Sequence, residues 1–168
     1  GESLAVANSD TMTMGTSIMW YSVAGQEDFP DTPWALQFNE STCQRVTAGQ
    51  WHWETGMNHH QVDDFEYVRD YGMRAVFGNW SYLKNKYSKK ARYTGRKLGW
   101  VAYVGGKRES RRLMGDVILQ EQDILQRKDY PDACVVTTWS IDLHYPKPIN
   151  GFKGEPFLSV AKHKRFKP

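Results

Sequence analysis

Across residues 62–86 the apolar side chains Phe65, Val68, Val76, Trp80 and Leu83, with Gly72 among them, recur at spacings of three and four, the stripe of a helix with one covered face. Asp63, Asp64 and Glu66 at its start and Lys84 and Lys86 at its end complement the helix dipole, so charge and periodicity predict the same element. Elsewhere the period falls to two. In residues 50–54 (QWHWE), Trp51 and Trp53 share one side of an extended segment and His52 and Glu54 the other, which predicts a strand covered on one face. Residues 11–23 (TMTMGTSIMWYSV), 98–104 (LGWVAYV) and 133–143 (ACVVTTWSIDL) are rich in β-branched and aromatic residues and predict further strands. Residues 113–119 predict extended structure and 121–126 a short helix. Gly, Asp and two prolines make 25–33 a loop, Gly105-Gly106 ends a strand, and Pro146, Pro148 and Pro156 predict an irregular end. The sum is α+β: an antiparallel or mixed β-sheet with one long helix packed on one face. Residues 1–10 read as a lead-in, 11–160 as the domain and 161–168 as a basic tail, with no internal repeat.

A chain of 168 residues is one domain by length and buries roughly 68–70% of its unfolded surface, so its core needs no staples. Its 40% hydrophobic and 24% charged residues are ordinary, but 14% aromatic, with seven Trp and nine Tyr, is high. Those rings suit a β-rich core and equally suit contact surfaces. The net charge of +3 hides segregation: between Lys84 and Arg112 eleven basic residues face Glu109 alone, a local charge of +10. Such a block serves a nucleic-acid footprint, a solvated loop or a surface meeting an acidic neighbour. Cys43 and Cys134 fit no metal spacing, and no apolar run is long enough to span a membrane.

Two constellations carry chemistry. A guanidinium is a permanently charged planar fork that grips carboxylate, phosphate or carbonyl oxygens by paired hydrogen bonds. Arg108 and Arg111, three apart in RESRR, can face one ligand from a turn, while Glu109 can order one of them or act as an acid or base. The same segment also reads as a solvated loop closed by its own ion pairs. In 139–144 (WSIDLH), Ser140, Asp142 and His144 share a face if the segment is extended, and a carboxylate beside an imidazole raises its basicity for proton transfer near neutral pH. A surface face carrying both by chance is the alternative. His59-His60 ahead of Asp63 and Asp64 invite a metal, but without a second His or Cys cluster none is assigned. No GxGxxG, P-loop or GxSxG motif occurs in these residues.

The segments 13–20 (TMGTSIMW), 51–56 (WHWETG), 63–85 (DDFEYVRDYGMRAVFGNWSYLKN), 108–116 (RESRRLMGD) and 130–144 (YPDACVVTTWSIDLH) together resemble the FAD-dependent oxidoreductase family of large bacterial flavoproteins, some labelled xanthan lyase. The resemblance covers most of residues 11–160. It implies a two-domain flavoprotein, in which a Rossmann-type domain holds the ADP half of FAD and an inserted domain shapes the substrate pocket. This chain is similar to the inserted, substrate-binding and flavin-capping domain. The resemblance further implies that Arg108, Glu109 and Arg111 face the flavin carbonyls or an anionic substrate group, and that Asp142 and His144 handle protons. Trp51, Trp53 and Trp139 are then candidates for substrate contact. The expected partners are the FAD-binding domain of the same polypeptide and a small-molecule or carbohydrate substrate; FAD is expected in the full-length protein and not in this piece alone. Two other classes stay open: a carbohydrate-binding module presenting exposed rings, and, ranked last, a nucleic-acid binder using the basic 84–112 segment.

Overall fold

A computed structural model of the chain describes residues 15–49, 53–56, 59–107, 115–136, 141–148 and 156–164. The expected α+β architecture is present, as small antiparallel ladders around one long helix. Strand β1 (Thr16–Ser17) and strand β2 (Trp20–Ala24) form a central line through the body. Strand β3 (Ala48–Gly49) pairs with β2 on one flank and strand β4 (Arg96–Val101) on the other, and strand β5 (Gly106–Lys107) pairs with β1. All are antiparallel, with a register shift between Tyr21 and Ser22 against β4. The amide of Ala102 donates to the Met19 carbonyl at 2.8 Å, linking the β2–β4 ladder toward the β1–β5 ladder. Thr55 exchanges two 2.9 Å backbone hydrogen bonds with Thr16, so β1 is flanked on both edges.

Helix α1 (Phe65–Asn85) falls where periodicity placed it and buries the stripe Val68, Tyr71, Ala75, Val76, Trp80 and Leu83. Alternation from Ile18 into β2 turns Ile18, Trp20 and Ser22 inward and leaves Met19 and Tyr21 exposed. The Trp20 and Trp80 rings meet edge to face at 5.7 Å, and Tyr93, from a one-turn 3₁₀ segment (Lys90–Tyr93), closes on Trp80 at 6.0 Å. The helix also holds the loop between β2 and β3. Asn79, wholly enclosed, accepts from the Gln44 amide at 2.8 Å and donates to the Gln44 carbonyl at 3.0 Å. Ser81 donates to the Pro30 carbonyl at 3.1 Å and Asn85 to that of Phe29 at 3.0 Å. At Gly78 an added Cβ would collide with the Leu36 carbonyl, so only glycine lets helix and loop approach this closely.

Several expectations are corrected. Of the strand expected over 50–54, Trp53 and Glu54 lie in no strand and both are buried rather than on opposite faces, residues 50–52 lying outside the described residues; the Thr16–Thr55 bridge folds this segment's end into the interior. The strand expected over 98–104 runs instead over Arg96–Val101. Residues 115–119 form no strand, whereas the short helix does form as α2 (Glu121–Leu125), its start closed by a capping box between Gln120 and Asp123. The C-terminal region is not irregular: β6 (Ile141–Pro148) and β7 (Pro156–Lys164) make an antiparallel ribbon. A two-stranded ribbon leaves one edge of each strand unpaired, and such edges accept proline, which is why Pro146, Pro148 and Pro156 do not break it. Of the strand expected over 133–143, residues 141–143 fall in β6 and 133–136 fall in no strand, while 137–140 lie outside the described residues.

Candidate functional site

The β1–β5 ladder gathers enclosed polar groups at one end of the sheet. Its register sets Thr16 opposite Lys107 and Ser17 opposite Gly106. Thr16 donates from its hydroxyl to Gln61 Oε1 at 3.0 Å, and the Gln61 amide donates to the Gly56 carbonyl. Thr55 Oγ1 lies within hydrogen-bonding distance of the Thr16 carbonyl (3.3 Å) and the Val68 carbonyl (3.2 Å), tying this end of the sheet to the first turns of α1. Glu54 is 0% exposed, and its stem passes so close to residue 15 that an added Cβ would lie 3.0 Å from its Cγ; glycine at 15 makes that burial feasible. Ser17 is 1% exposed and its hydroxyl has no hydrogen-bond partner among the described residues. A buried hydroxyl left without a partner costs free energy. The exposed Lys107 ammonium lies 5.3 Å from the Phe65 ring centre.

From Lys107 the chain passes directly into RESRR. Arg108, Glu109 and Arg111 lie outside the described residues, as do Trp51 and Trp139. Asp142 and His144 are on β6, two apart and therefore on one face of the ribbon. Trp53 is 1% exposed and packs on Phe38 with ring centres 4.9 Å apart, which replaces the expected substrate-facing ring with a core one. The rings that do reach solvent in a pair are Tyr21 and Trp100, cross-strand neighbours on the sheet face turned away from the core.

The basic block divides by role. Lys84 donates to the carbonyls of Tyr93 at 3.0 Å and Arg96 at 2.8 Å, closing the helix end onto β4. Arg96 grips the Ser22 hydroxyl and carbonyl, both at 2.8 Å, and Lys86 pairs with Asp31 at 3.2 Å. These cations are engaged in structure, whereas Lys107 on β5 lies opposite the enclosed Thr16. Ahead of α1, His59 Nδ1 lies 3.4 Å from an Asp64 carboxylate oxygen, and His60 Nδ1 lies 3.0 Å from one of Asp63 and accepts the Asp63 amide at 3.0 Å. Among the described residues no group of three or more His, Cys, Asp or Glu could hold a metal, and Cys43 and Cys134 are free thiols.

A separate polar cluster lies at the far end of α1. Tyr82 donates to Glu40 at 3.1 Å and Ser88 donates to it at 2.9 Å, with Arg45 3.7 Å away. Desolvation, and then the hydrogen bond to Glu40, push the Tyr82 phenol up to about 12. For Glu40 desolvation acts upward, but the hydrogen bonds from Ser88 and Tyr82 together outweigh it and hold the carboxyl below its usual value. Nothing in this cluster borders the β1–β5 end.

Sequence reasoning missed Ser17, Gln61 and the enclosure of Glu54. A polar residue in a strand reads as outward-facing by alternation, and only the bridge between Thr16 and Thr55 reveals a second covering layer. A family model described as FAD dependent oxidoreductase matches residues 11–166. No curated protein and no solved structure matches the chain.

Proposed function

The chain belongs to the FAD dependent oxidoreductase family, and from that premise we propose that it is the substrate-binding part of a flavoprotein, covering the flavin ring and shaping the substrate pocket. The observation that carries this reading is the β1–β5 ladder. It ends at Lys107, from which the sequence runs on into the three arginines of RESRR, and it holds the buried Ser17 hydroxyl, which has no hydrogen-bond partner among the described residues. In this reading the Lys107 ammonium and the guanidinium groups that follow it in sequence supply donors that suit the carbonyl oxygens and ring nitrogens along a flavin's pyrimidine side. The same residues do not suit the ADP half, which needs a glycine-rich turn leading into a helix N-terminus; no such motif occurs in this sequence. That half is assigned to another part of the same polypeptide.

When bound, FAD supplies the electron-accepting chemistry. Arg108 and Arg111 then hold the flavin carbonyls or an anionic group of the substrate, and Glu109 fixes the posture of one guanidinium. Asp142 and His144 take and return the proton that accompanies electron transfer. Trp51 and Trp139 are the remaining candidates for substrate contact, since Trp53 is committed to the core.

The arginine assignment is tested in the FAD-loaded parent protein with Arg108→Gln and Arg111→Gln. Each variant is expected to retain flavin and to lose on the order of 10²-fold in kcat/KM, the usual consequence of removing one preorganised donor. Unchanged kcat/KM in both variants would remove the arginines from the site.

A further inference from the structure

β6 and β7 pair with Asp142 opposite His163, His144 opposite Ala161, and Pro146 opposite Ser159. Residues paired in this way share a face, so Asp142, His144 and His163 occupy one face of the ribbon. The other face holds Ile141, Leu143 and Tyr145 with Val160 and Leu158, an apolar set, and it also takes Lys147, Lys162 and Lys164. The only titratable positions of the paired ribbon on the first face are therefore one carboxylate and two imidazoles.

Directly opposed positions bring Cβ atoms to about 4.5–5.5 Å, whereas positions two apart on one strand are separated by roughly 6.6 Å. By register, position 163 is thus nearer to position 142 than position 144 is, although 21 positions separate them in sequence. We infer that His163 is a third member of the proton-handling group of this ribbon, the cross-strand neighbour of Asp142, with His144 as its neighbour along the strand.

A carboxylate next to an imidazole favours the protonated ring and selects its tautomer. Two imidazoles beside one carboxylate titrate as a coupled set, because protonating the first disfavours protonating the second. Near neutral pH such a set holds one proton ready to give and one nitrogen ready to accept, which a lone Asp–His pair does not provide. The inference extends the proposed role of Asp142 and His144, but its test needs no flavin.

The test is a nuclear magnetic resonance titration of the histidine rings in the isotopically labelled 168-residue chain, comparing wild type, Asp142→Asn and His163→Gln. His163 is expected to titrate above the ordinary histidine value of about 6.5, and Asp142→Asn to lower its midpoint by about half to one unit. The shift at His163 should exceed that at His144. A His163 midpoint that ignores Asp142→Asn, in a variant whose amide spectrum is otherwise native, overturns the inference. If Asp142→Asn loses the native spectrum, the reciprocal reading decides: His163→Gln is expected to raise the midpoint of the Asp142 carboxyl, and an unmoved carboxyl overturns the inference. A colourless parent protein would instead count against the flavin reading and leave this titration standing.

Discussion

At the scale of single residues, the polar atoms divide into those that close the fold and those that await a partner. Tyr82 and Glu40 belong to the first kind. The folded state favours a neutral phenol, pushed up to about 12, over a carboxylate held below its ordinary value. The signs follow from that. The Tyr82 contribution is present below the phenol's unfolded value near 10 and is lost as pH rises toward 12; the Glu40 contribution is present above the carboxyl's ordinary value and is lost as pH falls through its lowered one. An ultraviolet titration, wild type minus Tyr82→Phe, is expected to show this phenol ionising near 12, with Glu40→Gln bringing the midpoint back toward 10. A Tyr82 midpoint near 10 in the wild type would contradict the hydrogen-bonded geometry. Ser17 is of the second kind: a buried hydroxyl left without a partner among the described residues is a local expense that a bound group or a neighbouring segment can offset.

At the scale of elements, legibility followed length and redundancy. Helix α1 was readable because its apolar stripe spans 21 residues and its end charges agree with the dipole. The two-residue strands β1, β3 and β5 have no period to read, since alternation cannot show itself in two positions. β7 escaped because Pro156 and its lysines read as breakers, and only pairing with β6 makes them acceptable edge residues. This is also why Asp142 and His144 were visible as a pair while His163 was not. Their relation is local, whereas His163 joins them through a long-range register. The helix is also the clamp for the loop it covers. Replacing Asn79 by Ala leaves the Gln44 amide and carbonyl without their partner inside the protein, and is expected to cost about 1–3 kcal/mol, read as a lower urea midpoint at unchanged slope. An unaltered midpoint would mean that water replaces both bonds and the clamp is idle.

At the scale of the whole molecule, the uneven charge along the sequence resolves into two uses. Lys84, Lys86 and Arg96 fasten the helix end and β4, while Lys107 borders the enclosed polar end of the sheet. The chain belongs to the FAD dependent oxidoreductase family, and on the function proposed above such an edge faces a cofactor whose other half is held elsewhere. That division of labour is the central claim, and visible absorbance of purified protein tests it most directly. The parent polypeptide is expected to purify yellow with stoichiometric FAD, and the 168-residue chain to purify colourless and stay so after incubation with FAD and gel filtration. A 168-residue chain that retains one FAD per molecule and turns over substrate would contradict the account.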